Sequence, residues 1–506
     1  MYFQSPEFLV FLAVVLPLFW MLAGRRRART ILLLVASYFF YGLYEWWYLS
    51  LIVFSTALDW VCGNRIHEAA QRDDARAKKR WLVASLVGNL GVLCFFKYTD
   101  WLLENVDWVL HAIGSQVDLI AWRSAHYPSF LTAGAGSELM PSAIGRMVVP
   151  VGISFFTFQT LSYTIDVYRG RLAPAKTFTD FALFVALFPQ LVAGPIVRAV
   201  QFVPQLDLLP RMDTQRLKDA LYRFGSGLVR KVAIADTIGV MVVDPVFGDP
   251  GQFSPLVHLI ACFAFLAQIY NDFAGYSEMA IGVAKLFGFD LPENFDHPYR
   301  ITSVSEFWSR WHITLSSWLR DYLYIPLGGN RTGHTVRNLF VTMILVGLWH
   351  GASWLWVLYG SLMATTMVIE LRVASARKMR AAARGETIVD PPREGRPLTL
   401  ANGVAHLYAI TFVAITSLCI RAGTWDTFWA MLTDFGDSGL TRLAALGLWI
   451  LLATHVIVYL PRRVLGGTEA LILRLPVFAL SILLGVAIAI AAVLLVGNQP
   501  FIYFQF

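Results

Sequence analysis

Charge is scarce in this chain. Charged residues fill 15% of its 506 positions, against about 25% in a soluble globular domain. Cysteine is scarce as well: Cys62, Cys94, Cys262 and Cys419 stand far apart in apolar runs, and no pair has metal-ligand spacing. That excludes a disulfide scaffold, predicts no metal site and reads the four as small apolar core residues. Gly-Xaa-Ser-Xaa-Gly, HExxH and Walker sequences are absent, so the usual signatures of serine hydrolases, zinc proteases and nucleotide-binding loops are missing. There is no internal repeat at a solenoid or inverted-repeat scale, which weakens a repeat-built transporter.

What fills the chain instead is apolar and aromatic. Hydrophobic residues make up 57%, with 17 Trp, 19 Tyr and 36 Phe. A solvated exterior cannot hide so much ring surface, so a disordered chain, a coiled coil and an ordinary cytosolic enzyme are excluded. The fold class that remains is all-α, a polytopic membrane protein. A helix crossing about 30 Å of hydrocarbon needs about 20 apolar residues. About eleven hydrophobic segments qualify, near 7–23, 31–45, 48–63, 81–97, 149–166, 180–196, 255–270, 339–370, 402–421, 443–460 and 476–497. The first is a retained span and not a signal peptide, because Arg25, Arg26, Arg27 and Arg29 follow it and no basic residue precedes it. The 339–370 stretch exceeds one crossing and is expected to break near its middle.

The net charge of +7 reports orientation before nucleic acid. Basic residues concentrate in 24–30, 64–80, 167–177, 372–399 and 461–475, six of them in 64–80 and seven in 372–399. Residues 99–145 hold only Arg123, and 422–441 hold none. The positive-inside rule then places both termini outside, with 99–145 an extracytoplasmic loop and Trp46, Trp47, Trp101 and Trp108 in an aromatic belt. A polybasic lipid site in 372–399 is the less economical reading of the same charges. In 213–231, Leu217, Leu221, Phe224 and Leu228 share one face while Arg216, Arg223 and Arg230 lie on others. That pattern predicts an amphipathic helix flat in the cytoplasmic interface, capped by Asp213 or Thr214.

Ionisable groups at membrane depth are costly and mark function by default. They crowd into 268–356. His350 stands in a stretch with no charge between Arg337 and Glu370, thirteen residues in from Arg337 and so expected near the bilayer midplane, among Gly347, Gly351, Ala352 and Ser353. These small residues admit another helix or a substrate chain; the plainer reading is a histidine hydrogen-bonded between helices. His312 lies in a run that cannot be a plain span, because Glu306, Arg310, Arg320 and Asp321 interrupt it and Pro326, Gly328 and Gly329 end it. It reads as a short amphipathic or re-entrant helix beside protein or a water-filled cavity. Two histidines flanked by tryptophan point to one shared site, and imidazole has the basicity to take a proton from a hydroxyl. Glu306, Arg310, Arg320 and Asp321 are candidates to contact an acyl donor, although Glu306 and Arg310 also form a helix-supporting i,i+4 pair. Asn271 and Asp272 line the cavity or join helices. Trp311 and Trp349 are candidate substrate contacts, with wall packing as the alternative, which also covers Trp308, Trp318 and Trp354.

At these residues the chain resembles a known family. YNDFAGYSEMAIG from Tyr270, LPENFDHPY, FWSRWHITLSSWLRDYLYIPLGGNR ending at Arg331, and LWHGASW look like the membrane-bound O-acyltransferases. So do FPQLVAGPIVR at 188–198, GLVRKVAIAD at 227–236 and the terminal PFIYFQF. The resemblance is to the bacterial branch that includes alginate O-acetylation and teichoic-acid D-alanyl transfer proteins, and it is weak only in 99–145 and 372–440. It implies one membrane-embedded domain over 1–506: a funnel-like core at about 146–371, N-terminal helices over 1–98 and C-terminal helices over 400–506. The family's histidine maps onto His350. Its second polar catalytic position, Asn in eukaryotic relatives and His in this branch, maps onto His312. The expected activity is O-acetyl transfer from a cytoplasmic acyl-CoA or acyl-carrier thioester, with no bound cofactor, toward hydroxyls of an exported alginate-like polysaccharide. The expected setting is the bacterial inner membrane, the expected partners an extracytoplasmic SGNH-type protein and the polysaccharide export machinery, with no nucleic acid. D-alanyl or other acyl transfer to a cell-wall polymer, a flippase for lipid-linked sugar, and a scaffold for a separate transferase stay open.

Overall fold

A computed structural model describes residues 2–43, 46–127, 147–331, 333–386, 399–436, 445, 449 and 462–494. It is 77% helical, with no strand among the described residues. Among the described residues, four helices are long and apolar enough to cross a membrane: Ala75–Ala112, Pro255–Leu286, Trp354–Ala383 and Leu400–Arg421. Shorter apolar helices run over Pro6–Met21, Thr335–His350 and Val477–Ala491. The all-α polytopic architecture is therefore the one composition predicts. The expected span at 443–460, residues 128–145 of the expected outer loop, Arg393, Arg396 and the terminal PFIYFQF lie outside the described residues, residues 445 and 449 apart.

The chain forms two compact units. One comprises Met1–Leu228, Tyr276–Pro292 and Pro476–Gln505. Its first helix starts where Ser5 Oγ accepts the Phe8 N–H and Pro6 supplies a preset φ. Phe8, Phe11, Val15 and Phe19 then recur on one buried stripe, against Phe40 and Phe188. Helices Leu49–Gln71 and Ala75–Ala112 meet at a three-residue turn in which Asp74 accepts the Ala77 N–H at 2.9 Å. The basic stretch 64–80, expected as a loop, is thus mostly helix. The second helix runs well past residue 97, and Leu119–His126 adds a further helix within the expected outer loop. There Arg123 is buried against Asp100 at 3.3 Å.

Two further segments differ from expectation. The 180–196 run does not form one span. Helix Phe178–Ala186 ends before Phe188–Leu191, and the chain then turns through Pro195. Proline lacks the amide that would continue a helix. The run is apolar because protein buries it throughout. The amphipathic segment forms helix Thr214–Leu228, with Asp213 accepting the Arg216 N–H at 2.7 Å. Its apolar stripe faces protein in part: Phe224 and Leu228 are buried, the helix packs on Val477–Leu494, and Phe224 stacks with Phe8 at 6.4 Å.

The other unit comprises Val229–Gly275, Glu293–Leu475 and Phe506. Among its described residues, π-helical stretches run over Val229–Asp236, Gly239–Val243 and Arg320–Tyr324, a local geometry that gathers at functional sites. The long charge-free stretch breaks at Gly351–Ser353 into helices Thr335–His350 and Trp354–Ala383. Ser353 Oγ caps the second by accepting the Trp356 N–H. Gly347 lies against the Trp356 carbonyl and Gly360 against that of Met343, so close that a Cβ on either glycine would collide. These reciprocal contacts run in opposite directions along the two helices, which therefore form an antiparallel hairpin. His350 is the last residue of the first of these, a 16-residue helix about 24 Å long at 1.5 Å per residue.

Candidate active site

Two turns of this second unit carry the two histidines. The first follows the short helix Val304–Phe307, capped by Ser303, and leads into helix Ile313–Leu319. His312 joins them with φ 42° and ψ 54°, left-handed backbone that costs a branched or bulky side chain and that His and Asn tolerate better. The segment 294–296 holds this turn. Asn294 Oδ1 lies 2.9 Å from His312 Nδ1 and accepts from Thr314 Oγ1 at 2.9 Å and Thr314 N at 3.4 Å. Ile313 N donates to the Asn294 carbonyl and Asp296 N to the Arg310 carbonyl, each at 2.9 Å.

His312 is fully buried and lies outside every helix able to span a membrane. Burial pushes its imidazole down to about 3, so the ring is neutral at physiological pH. Phe273 meets it edge-on at 4.7 Å. The Trp349 ring lies 6.0 Å away.

The second turn places His350 at a helix end, 8% exposed. Its ring stacks on Trp356 at 5.1 Å and 18°, and meets Trp349 edge-on at 4.8 Å. Both imidazoles therefore border the Trp349 indole. The small residues around His350 admit a helix here: Gly347 and Gly351 are filled by the backbone and indole of Trp356.

The other candidates occupy three settings. Glu306 and Arg310 are buried and joined, Arg310 Nε and Nη2 lying 3.2 and 3.1 Å from Glu306 Oε1. Arg310 Nη1 reaches Asp296 Oδ2 at 3.2 Å, and Glu306 Oε2 accepts from Thr302 N at 3.1 Å. This pair laces the His312 turn, with Trp311 packed beside it on Phe307 and Phe295. Asn271 donates to the Ala267 carbonyl of its own helix at 2.9 Å, while Asp272 pairs with buried Lys231 at 2.7 Å. Arg320 is exposed and binds Asp321 at 2.7 Å, at the far end of the helix that His312 begins.

Residues 175–381, which contain every one of these groups, match the model of the membrane-bound O-acyltransferase family. The chain is 36% identical over 471 residues to a probable alginate O-acetylase of Azotobacter vinelandii, covering 89% of this chain and 83% of the relative. The chain belongs to the membrane-bound O-acyltransferase family. It is also 34% identical to a peptidoglycan O-acetyltransferase of Helicobacter pylori, over 65% of this chain and 62% of that protein. A teichoic acid D-alanyltransferase of Streptococcus thermophilus is 31% identical, over 43% and 56%. This member is thus a membrane O-acyltransferase.

Within the acyltransferase, sequence reading passed over Asn294, Thr314, Trp356 and Lys231. Asn294 sits in LPENF, a stretch that carries the resemblance, yet nothing in its spacing ties it to a histidine 18 residues on. Lys231 had a visible signal, a cation inside the apolar run VRKVAIAD. The structure buries it between Asp236 and Asp272, each at 2.7 Å.

Proposed function

We propose that this protein moves an acetyl group from a cytoplasmic acyl-CoA or acyl-carrier thioester toward hydroxyls of an exported, alginate-like polysaccharide. In the step proposed, an acceptor oxygen attacks the thioester carbonyl. The new C–O bond forms, the C–S bond breaks, and the hydroxyl proton passes to His350 and on to the departing thiolate. His312 is the second polar group of the reaction. Glu306, Arg310 and Trp311 support the turn that carries it. Arg320, exposed at the far end of the helix that His312 begins and held by Asp321, is the better candidate to meet a donor phosphate. The observation that supports the reading most is the placing of His312 and His350 against one indole, that of Trp349.

In this proposal the protein sits in the bacterial inner membrane with both termini outside, as one functional domain. An extracytoplasmic SGNH-type protein completes transfer beside the export machinery. D-alanyl transfer is the second reading, favoured by the likeness to teichoic acid D-alanyltransferases. A flippase and a scaffold are set aside because the family is one of acyltransferases. The test is turnover of labelled acetyl-CoA by the purified full-length protein with an oligosaccharide hydroxyl acceptor. Acetyl ester formed by wild type and lost in His350→Ala supports the reading. Equal turnover by both overturns it.

A further inference from the structure

We propose that Asn294 is a positioning residue that holds His312 as the Nδ1–H tautomer, making His312 a proton acceptor through Nε2 and not a donor to the acyl carbonyl. This rests on the acyl-transfer reading above and assigns the part that His312 plays within it.

The argument starts from which end of the Asn294 amide faces the histidine. A backbone N–H can only donate, and Thr314 N points at the same Asn294 atom as Thr314 Oγ1 and His312 Nδ1. That atom is therefore an acceptor, the amide oxygen. The backbone of the two segments is locked in the same register by Ile313 N on the Asn294 carbonyl, so the amide cannot turn over without losing the Thr314 contacts. An oxygen that accepts leaves His312 Nδ1 one part, to donate. A neutral imidazole carries one N–H, and the ring is neutral because it is wholly buried. The lone pair is then on Nε2. An imidazole presenting a lone pair takes a proton from a hydroxyl or thiol. It has no hydrogen to offer a carbonyl or oxyanion.

The left-handed backbone at His312 fits this reading. Non-glycine residues held at positive φ cost on the order of 1–3 kcal/mol and persist where the surroundings impose them. Here the imposing groups are the two hydrogen bonds from residues 312 and 313 to Asn294. One side chain and its own carbonyl thus set the backbone angle, the ring plane and the protonated nitrogen together. This parallels the outer-shell acceptors that fix histidine tautomers in metal and hydrolase sites.

The experiment uses the full-length protein in lipid nanodiscs, with acetyl transfer from labelled acetyl-CoA as one readout. The second is solid-state ¹⁵N NMR of histidine-labelled protein, with the His312 signal assigned by difference from His312→Gln. The wild-type spectrum is expected to show a protonated Nδ1 and a bare Nε2 at neutral pH. Asn294→Ala is expected to mix the tautomers and to lower kcat by about 10²-fold, with KM changed less than about 3-fold, within the range of general-base help. Asn294→Asp keeps the acceptor and is expected to restore most of kcat. Added to His312→Ala, Asn294→Ala should cost nothing more. A protonated Nε2 in wild type overturns the proposal, as do unchanged kcat in Asn294→Ala and losses that multiply in the double variant. Should Asn294→Ala not fold, the wild-type spectrum and Asn294→Asp still decide it. A protonated Nδ1 without acetyl transfer by wild type overturns the acyl-transfer reading instead, and leaves the tautomer standing.

Discussion

His312 and His350 border one indole, but different forces hold them. His312 sits in a left-handed turn laced by hydrogen bonds from Asn294, Thr314 and the Glu306–Arg310 pair, with no exposed surface. His350 ends a helix, pressed flat on Trp356 by a hairpin whose glycines let two backbones touch. Hydrogen bonds choose a ring's protonated nitrogen and its rotation. Stacking sets its plane. A site that moves a proton between two substrates needs both kinds of control: Asn294 supplies the first at His312, and Trp356 supplies the second at His350.

Substitutions separate the two. The largest effect is expected from His350→Ala and His312→Ala, each lowering the transfer rate by 10²–10⁴-fold with the protein still extracted and folded. A near-normal rate in either one would leave the other as the only catalytic imidazole. Next is Arg310→Met, which strands the buried Glu306 carboxylate. It should destabilise the His312 side by about 3–5 kcal/mol, measured as a lowered denaturation midpoint in detergent. Gly347→Ala strikes the stacked side: the added methyl meets the Trp356 carbonyl and should cost about 1–3 kcal/mol. His350 should lose rate with it.

A smaller effect comes from acid. His312 has its folded value pushed down to about 3 from an ordinary 6.5, so the unfolded chain binds the proton first. Its contribution to stability is whole above pH 6.5 and is lost as pH falls toward 3, amounting to about 1.4 kcal/mol by pH 5.5. Stability curves of wild type and His312→Asn should diverge over that window; parallel curves would remove the buried neutral ring. Smallest is Gly91→Ala, in helix Ala75–Ala112 with open space around it. Helix propensity alone should stabilise it by at most about 1 kcal/mol, in contrast to Gly347.

Much of this was legible in residue order. Hydropathy located the helices, and the length of 339–370 announced the break that forms at Gly351–Ser353. The two histidines declared themselves as ionisable groups among apolar residues. Hydropathy failed at 180–196 because it measures distance from water and does not separate burial in lipid from burial in protein; Pro189 and Pro195 were the better witnesses. The basic residues at 64–80 were read as a loop because charge reports the membrane boundary and helices run past it. The site's supports were least legible. Asn294 and Trp356 matter through contacts made only after the chain has folded, and an asparagine in a loop-like stretch resembles any other turn residue.

The glycine contacts of the hairpin have a mechanical consequence. Gly347 and Gly360 each occupy a notch against the opposite backbone, as detents hold a slide. Moving helix Thr335–His350 along its partner by one residue would bring the side chain of Val346 or Leu348 against the Trp356 carbonyl. A step of a whole helical turn, about 5.4 Å, would bring either Met343, which has a side chain, or Gly351, which lies beyond the helix end, to that carbonyl. Close backbone contact thus opposes sliding of the two helices, and with it any change in the height of His350 relative to Trp356.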